Sequence, residues 1–196
     1  MKPDPGRRTV IALMIVAAVV SAHRASAQEV PLTLEAVAVS LGDISRPSGT
    51  ASMTIQIDRW SSDEDRNRLK DTVVEKGGDQ LLKALQKTKP VGRLAVSGSL
   101  GWDIHYAHQV ALAGGGRRIV FATDRPMSFA ERAGGTRSRD YEYLVGEVRL
   151  GPDGKGQGTL VPRANVRYDD ENRTLTIENY DTQPVRLTNV RLSARR

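Results

Sequence analysis

Short glycine-bearing connections, set between stretches where apolar and polar residues alternate, leave this chain little besides an antiparallel sheet to fold into. Downstream of Gly92 the stretches 94–96, 104–112, 118–123, 141–150, 159–168, 174–178 and 185–192 follow one another. Gly114-Gly115-Gly116, Gly151-Pro152-Asp153-Gly154 and a turn at 169–172 punctuate them. Connections of this kind join antiparallel neighbours, whereas parallel strands need crossover helices that the sequence lacks here. Upstream, Met53, Ile55 and Ile57 alternate with Ser52, Thr54, Gln56 and Asp58, the period of a half-buried strand. Leu34, Ala36 and Ala38 do the same within residues 32–41, and Pro47-Ser48-Gly49 supplies the turn of a hairpin between the two.

One segment changes period. Ser62 and Asp65 have the spacing of a helix N-cap pair, and Leu69, Val73 and Val74 recur behind them at helical intervals. Gly77-Gly78 ends that helix, Asp79 is placed to cap a second one carrying Leu81, Leu82 and Leu85, and Pro90 stops it. Glu64 and Arg68, four apart, read as an ion pair on a solvated outer face. The expected fold is therefore mainly β: an antiparallel β-sandwich or open barrel of about nine strands, with an inserted helical pair at about residues 62–88.

Residues 1–27 read as a cleavable export signal. Arg7 and Arg8 supply a basic start, residues 9–22 an apolar run short for a bilayer, and Ala25-Ser26-Ala27 a small-residue cleavage site. Arg7-Arg8 leaves both twin-arginine and ordinary secretion open. The mature part, 28–196, suits a single β-rich domain in the periplasm or outside the cell, with no further apolar run to hold it in a membrane. No cysteine is present, so no disulfide braces it. Losing Lys2, Arg7, Arg8 and Arg24 against Asp4 takes the net charge from +6 to +3, and no long basic run remains to grip nucleic acid.

Several motifs suggest chemistry and lose it on inspection. The glycine runs are followed by strands rather than by the helix a phosphate loop requires, so hairpin turns explain them. His105 and His108 are the only histidines outside the leader. Their spacing points them to opposite faces of a regular strand, Asp103 shares a face with His105, and no metal or cofactor is expected. Ser99 in Gly98-Ser99-Leu100-Gly101 lacks the flanking pattern of a nucleophile. Trp60 and Trp102, each at a strand boundary, read as core anchors before they read as a ligand platform.

The one mixed cluster is Asp124 and Arg125 at the end of one strand with Arg139 and Asp140 at the start of the next. If those strands are neighbours, the four converge, either bracing the intervening loop or leaving a guanidinium free for the carboxylate or phosphate of a small anionic ligand. Here Arg118-Ile119-Val120 leading into Thr123-Asp124-Arg125-Pro126, Arg137-Ser138 before Asp140-Tyr141, and Glu178-Asn179-Tyr180 before Pro184-Val185 resemble a group of uncharacterised exported bacterial proteins. The resemblance runs over roughly residues 55–190. It implies an exported bacterial setting and supplies no activity, cofactor or site residue.

These readings point to a non-catalytic binding or structural module of the periplasm or cell envelope, with a small anionic ligand or an envelope protein as partner. The alternative is a hydrolase or lyase acting on an envelope polymer through paired carboxylates such as Asp124, Asp140 or Glu147. A third class is an assembly subunit that offers a sheet edge to a partner. The leader is directly testable: intact-mass measurement of the exported protein is expected to give a chain starting at Gln28, and a mass that includes Met1 to Ala27 refutes cleavage.

Overall fold

The computed structural model describes residues 10–11, 30–40, 48–97, 99, 101–125, 143–172, 174–179 and 183–193. Its strands are β1 (Val10–Ile11), β2 (Leu32–Ser40), β3 (Gly49–Ile57), β4 (Gly92–Val96), β5 (Trp102–Ala111), β6 (Arg117–Thr123), β7 (Tyr143–Leu150), β8 (Lys155–Asp169), β9 (Thr174–Asn179) and β10 (Val185–Leu192). All pairings are antiparallel. Strands β2 to β8 and β10 close on themselves through the β7–β8 and β8–β10 ladders, giving an eight-stranded barrel. The architecture is thus a closed barrel, where the sequence left a sandwich or an open barrel. Strand β9 lies outside the ring, paired with the far half of β8, and Val10–Ile11 of the expected leader pairs with β9.

Closure depends on β8 changing partners. Its first half pairs with β10 up to Leu160, and its second half pairs with β9 from Ala164. Pro162 sits in the gap, where a residue with no backbone N–H is tolerated because no ladder bond is due. The β7–β8 register shifts over the same stretch, between Val161 and Ala164, so one bulge serves both neighbours.

Alternation fills the barrel. Leu34, Ala36 and Ala38 face inward from β2, and Met53, Ile55 and Ile57 from β3, with Leu34 opposite Ile55 and Ala36 opposite Met53. Leu94, Ile119, Phe121, Leu144, Val148, Leu160 and Leu187 join them in one buried cluster. Phe121 is opposite Gly146 on the neighbouring strand, and a β-carbon at Gly146 would collide with its ring, so the glycine is the space the aromatic occupies. Trp60 and Trp102 pack against this cluster from its borders, as core anchors do.

The helical insertion covers part of the outer face. Helix α1 (Asp63–Lys76) starts at Ser62, whose hydroxyl accepts from the Asp65 N–H at 3.1 Å, and ends at Gly77, where φ is +82° and the N–H bonds back to the Val73 carbonyl. A single 3₁₀ turn (Gly78–Gln80) leads straight into α2 (Leu81–Gln86), so Asp79 is not the cap expected of it: Gln80 already has helical dihedrals and no side chain caps α2. Arg68 pairs with Asp65 at 3.0 Å, one residue nearer than the expected Glu64. Leu69, Val73, Leu81 and Leu85 form a second apolar cluster with Ala122, Val145, Val161 and Val166 of the barrel wall. Among the described residues no helix is long and apolar enough to cross a membrane.

Gly146→Ala is expected to destabilise the protein by about 1–3 kcal/mol through overpacking against the ring. Phe121→Leu in the same chain should recover part of that loss in a thermal-melt double-mutant cycle. Strict additivity of the two changes would show that the ring does not occupy this space.

Candidate functional site

The sequence cluster is split by the fold. Arg125 donates from Nη2 to the Gly101 carbonyl at 2.6 Å, while Thr123 Oγ1 donates to the Arg125 carbonyl at 2.6 Å and accepts from the Leu144 N–H at 3.2 Å. These bonds tie the end of β6 to β7 and to the turn before β5, a bracing role. Arg139 and Asp140 lie outside the described residues.

Asp124 instead meets a histidine. Its Oδ2 stands 3.5 Å from His105 Nε2, and His105 Nδ1, facing the Thr88 carbonyl at 2.7 Å, must carry the proton that this acceptor takes. Thr88 Oγ1 donates to the Ala84 carbonyl and accepts from Arg68 Nη2 at 2.7 Å. The chain Asp124, His105, Thr88, Arg68, Asp65 therefore stitches β6 and β5 to both helices. Asp103, expected beside His105, is exposed and pairs with Arg93 at 3.6 Å. The reason is an irregularity in β5 between Ile104 and Tyr106, which breaks the two-residue period.

The same irregularity changes the histidine geometry. His105 and His108 both face partners on the helices, Thr88 and Arg66 respectively, and no longer oppose one another as a regular strand would require. Each is separately engaged, and among the described residues no group of three or more His, Cys, Asp or Glu gathers to hold a metal ion. Arg66 Nη1 lies 3.5 Å from His108 Nε2, and as an arginine can only donate, that nitrogen is the acceptor of a neutral ring. Burial, then the Arg66 charge, with Arg118 adding and Asp63 opposing, hold His108 below the usual histidine range.

A cleft that no sequence motif singles out lies between α1 and the second half of β8. It is an open cleft of about 310 Å³ lined by Val73, Val74, Gly78, Asp79, Asn165, Arg167, Tyr168 and Asp170. Gly78 allows the chain after α1 to rest on β8: any β-carbon there would collide with the Val166 carbonyl and Asn165 Oδ1. Below, the Val166 N–H donates to the Tyr143 hydroxyl at 2.8 Å, and burial holds that phenol far above its ordinary range, so it stays protonated. Asn165 is 6% exposed, yet its Oδ1 is shielded from solvent without a hydrogen-bond partner. Asp79 and Asp170 are exposed and have no ion-pair partner among the described residues, whereas Arg167 is held by Glu178 at 3.0 Å.

Two signals in the sequence bear on this cleft. Asn165 stands between Ala164 and Val166, both apolar, and Val74 places a branched apolar side chain on a helix face where it remains 41% exposed. Neither has meaning until β8 and α1 are known to touch.

Fold and site together define a small antiparallel β-barrel with a helical pair on its wall and a polar cleft between them. Comparison with protein-family models, with curated proteins and with solved structures found no match for the chain.

His108 provides a pH test. Because its folded value lies below the ordinary 6.5, the unfolded chain takes up the proton first as pH falls. Its contribution is full above about pH 6.5 and is lost on acidification towards the lower folded value. His108→Asn is expected to flatten the acid side of a stability profile measured by denaturant titration; an unchanged slope would rule this histidine out as its source.

Proposed function

We propose that this chain is an exported bacterial protein, periplasmic or secreted, that acts as a non-catalytic binding module of the cell envelope and takes its partner at the cleft between α1 and β8. The observation that carries the reading is Asn165. A buried polar atom with no partner costs about 1–3 kcal/mol, and because Gly78 packs over this oxygen, a partner offsets the cost by displacing the Gly78 turn and supplying a donor. Asp79 and Asp170 outnumber Arg167 in the lining and give the cleft a slight local negative charge on a mature chain whose net charge is +3. Of the two partners the sequence suggests, that charge favours an envelope protein over a small anion. Of the carboxylates named for glycan chemistry, Asp124 is turned to His105, Glu147 accepts from Arg149 Nε at 2.6 Å, and Asp140 lies outside the described residues.

Substitution separates stability from binding. Asn165→Leu, close in size and without the stranded oxygen, is expected to melt at or above the wild-type temperature while losing retention in the sedimented envelope fraction. Retention equal to wild type in a folded Asn165→Leu protein would overturn the cleft as the binding site.

A further inference from the structure

A guanidinium without a partner faces the inside of the barrel at one of its ends. Opposite residues of an antiparallel ladder share a face, and Ala107 opposite Phe121 is buried in the barrel interior. Two residues on, Gln109 is opposite buried Ile119, and two further on Ala111 is opposite Arg117, so Gln109 and Arg117 both lie on the inner face. They are diagonal neighbours, yet Gln109 Oε1 and Arg117 Nη1 are each shielded from solvent with no hydrogen-bond partner. Arg117 makes no ion pair among the described residues. Burial holds its proton affinity below the ordinary value, and no neighbouring charge offsets this. Both residues are only half-buried, which leaves a way in from solvent.

The rest of this mouth is apolar. Ser61 exchanges two hydrogen bonds with the Ala107 backbone and so brings Trp60 alongside β5, where it packs on the interior cluster with its own indole N–H shielded and unpartnered. Leu192, at the end of β10, packs on the same cluster from the far side. We infer that this end of the barrel binds a small organic monocarboxylate, its carboxylate on the Arg117 guanidinium and its apolar body across Trp60 and Leu192. A guanidinium offers a carboxylate two parallel N–H donors, and the Gln109 amide supplies a donor or an acceptor according to its rotation. One cation among apolar groups suits a single negative charge better than the two of a phosphate, whose second charge would be desolvated and unpaired. The free guanidinium that the sequence suggests at Arg125 is therefore found at Arg117, since Arg125 is held by the Gly101 carbonyl. This mouth is distinct from the cleft between α1 and β8, and neither site depends on the other.

The test titrates the full chain with benzoate, benzamide and inorganic phosphate by isothermal calorimetry, with melting temperatures measured alongside. Benzoate is expected to bind and to raise the melting temperature, while benzamide, alike in shape and uncharged, and phosphate bind at least about tenfold more weakly. Arg117→Met, which removes an uncompensated inward charge, is expected to melt at or above the wild-type temperature and to lose about tenfold or more in benzoate affinity. Arg118→Met removes the same charge from the outer face of β6 and should bind benzoate as the wild type does. No binding of benzoate by the wild type, or equal binding by Arg117→Met, would overturn the site. An equal loss in Arg118→Met would reduce the effect to net charge and overturn it as well. If Arg117→Met does not fold, Arg117→Lys, which keeps the charge without the two-pronged donor, carries the same test, and undiminished benzoate binding by it overturns the assignment. Benzamide or phosphate binding as tightly as benzoate would overturn the carboxylate as occupant.

Discussion

Everything in this molecule is arranged around a single long strand that must serve more neighbours than a strand has edges. Strand β8 borders β7 on one side and, on the other, β10 for its first half and β9 for its second. A proline at the exchange point removes a donor where no acceptor waits, and the accompanying bulge re-aims the strand. The first half closes the barrel and so leaves those strands no bare edge. The second half leaves the ring and pairs with β9 outside it.

The polar links hold the helices to this frame more than they equip it for chemistry. A threonine at the end of α2 joins Arg68 of α1 to His105 of β5, and through it to Asp124 of β6. Buried polar chains of this kind contribute little net stability per bond, but each leaves a costly orphan if one member is lost, so they fix a unique docking geometry. The apolar contacts of Leu69, Val73 and Leu85 with the barrel wall supply the larger attraction, without direction.

How much of this could be read from the sequence follows the range of the interactions. Alternation in residues 52–58 and 32–38, the Ser62 cap and the glycine turns are local, and the structure has them where the pattern put them. Closure is non-local: nothing in the residues 155–169 states that both their edges are used. The errors have the same origin. Local spacing fits Asp79 to a cap and sets Asp103 on the face of His105, and a 3₁₀ turn and a strand irregularity override both. The cleft escaped notice because its acids, Asp79 and Asp170, stand far apart in the chain and meet only once α1 lies on β8.

The helical pair enters and leaves the barrel at nearly one point. Ile57, the last residue of β3, is opposite Gly92, the first of β4, and the N–H groups of Asp58 and Arg59 both reach the Val91 carbonyl, at 2.9 and 3.2 Å. Topologically, residues 59–90 are an elaborated hairpin loop on a plain up-and-down meander. The helical insertion is therefore separable in engineering: with its ends this close, a tight turn or another insertion can replace it and present a different surface against the same protruding half of β8.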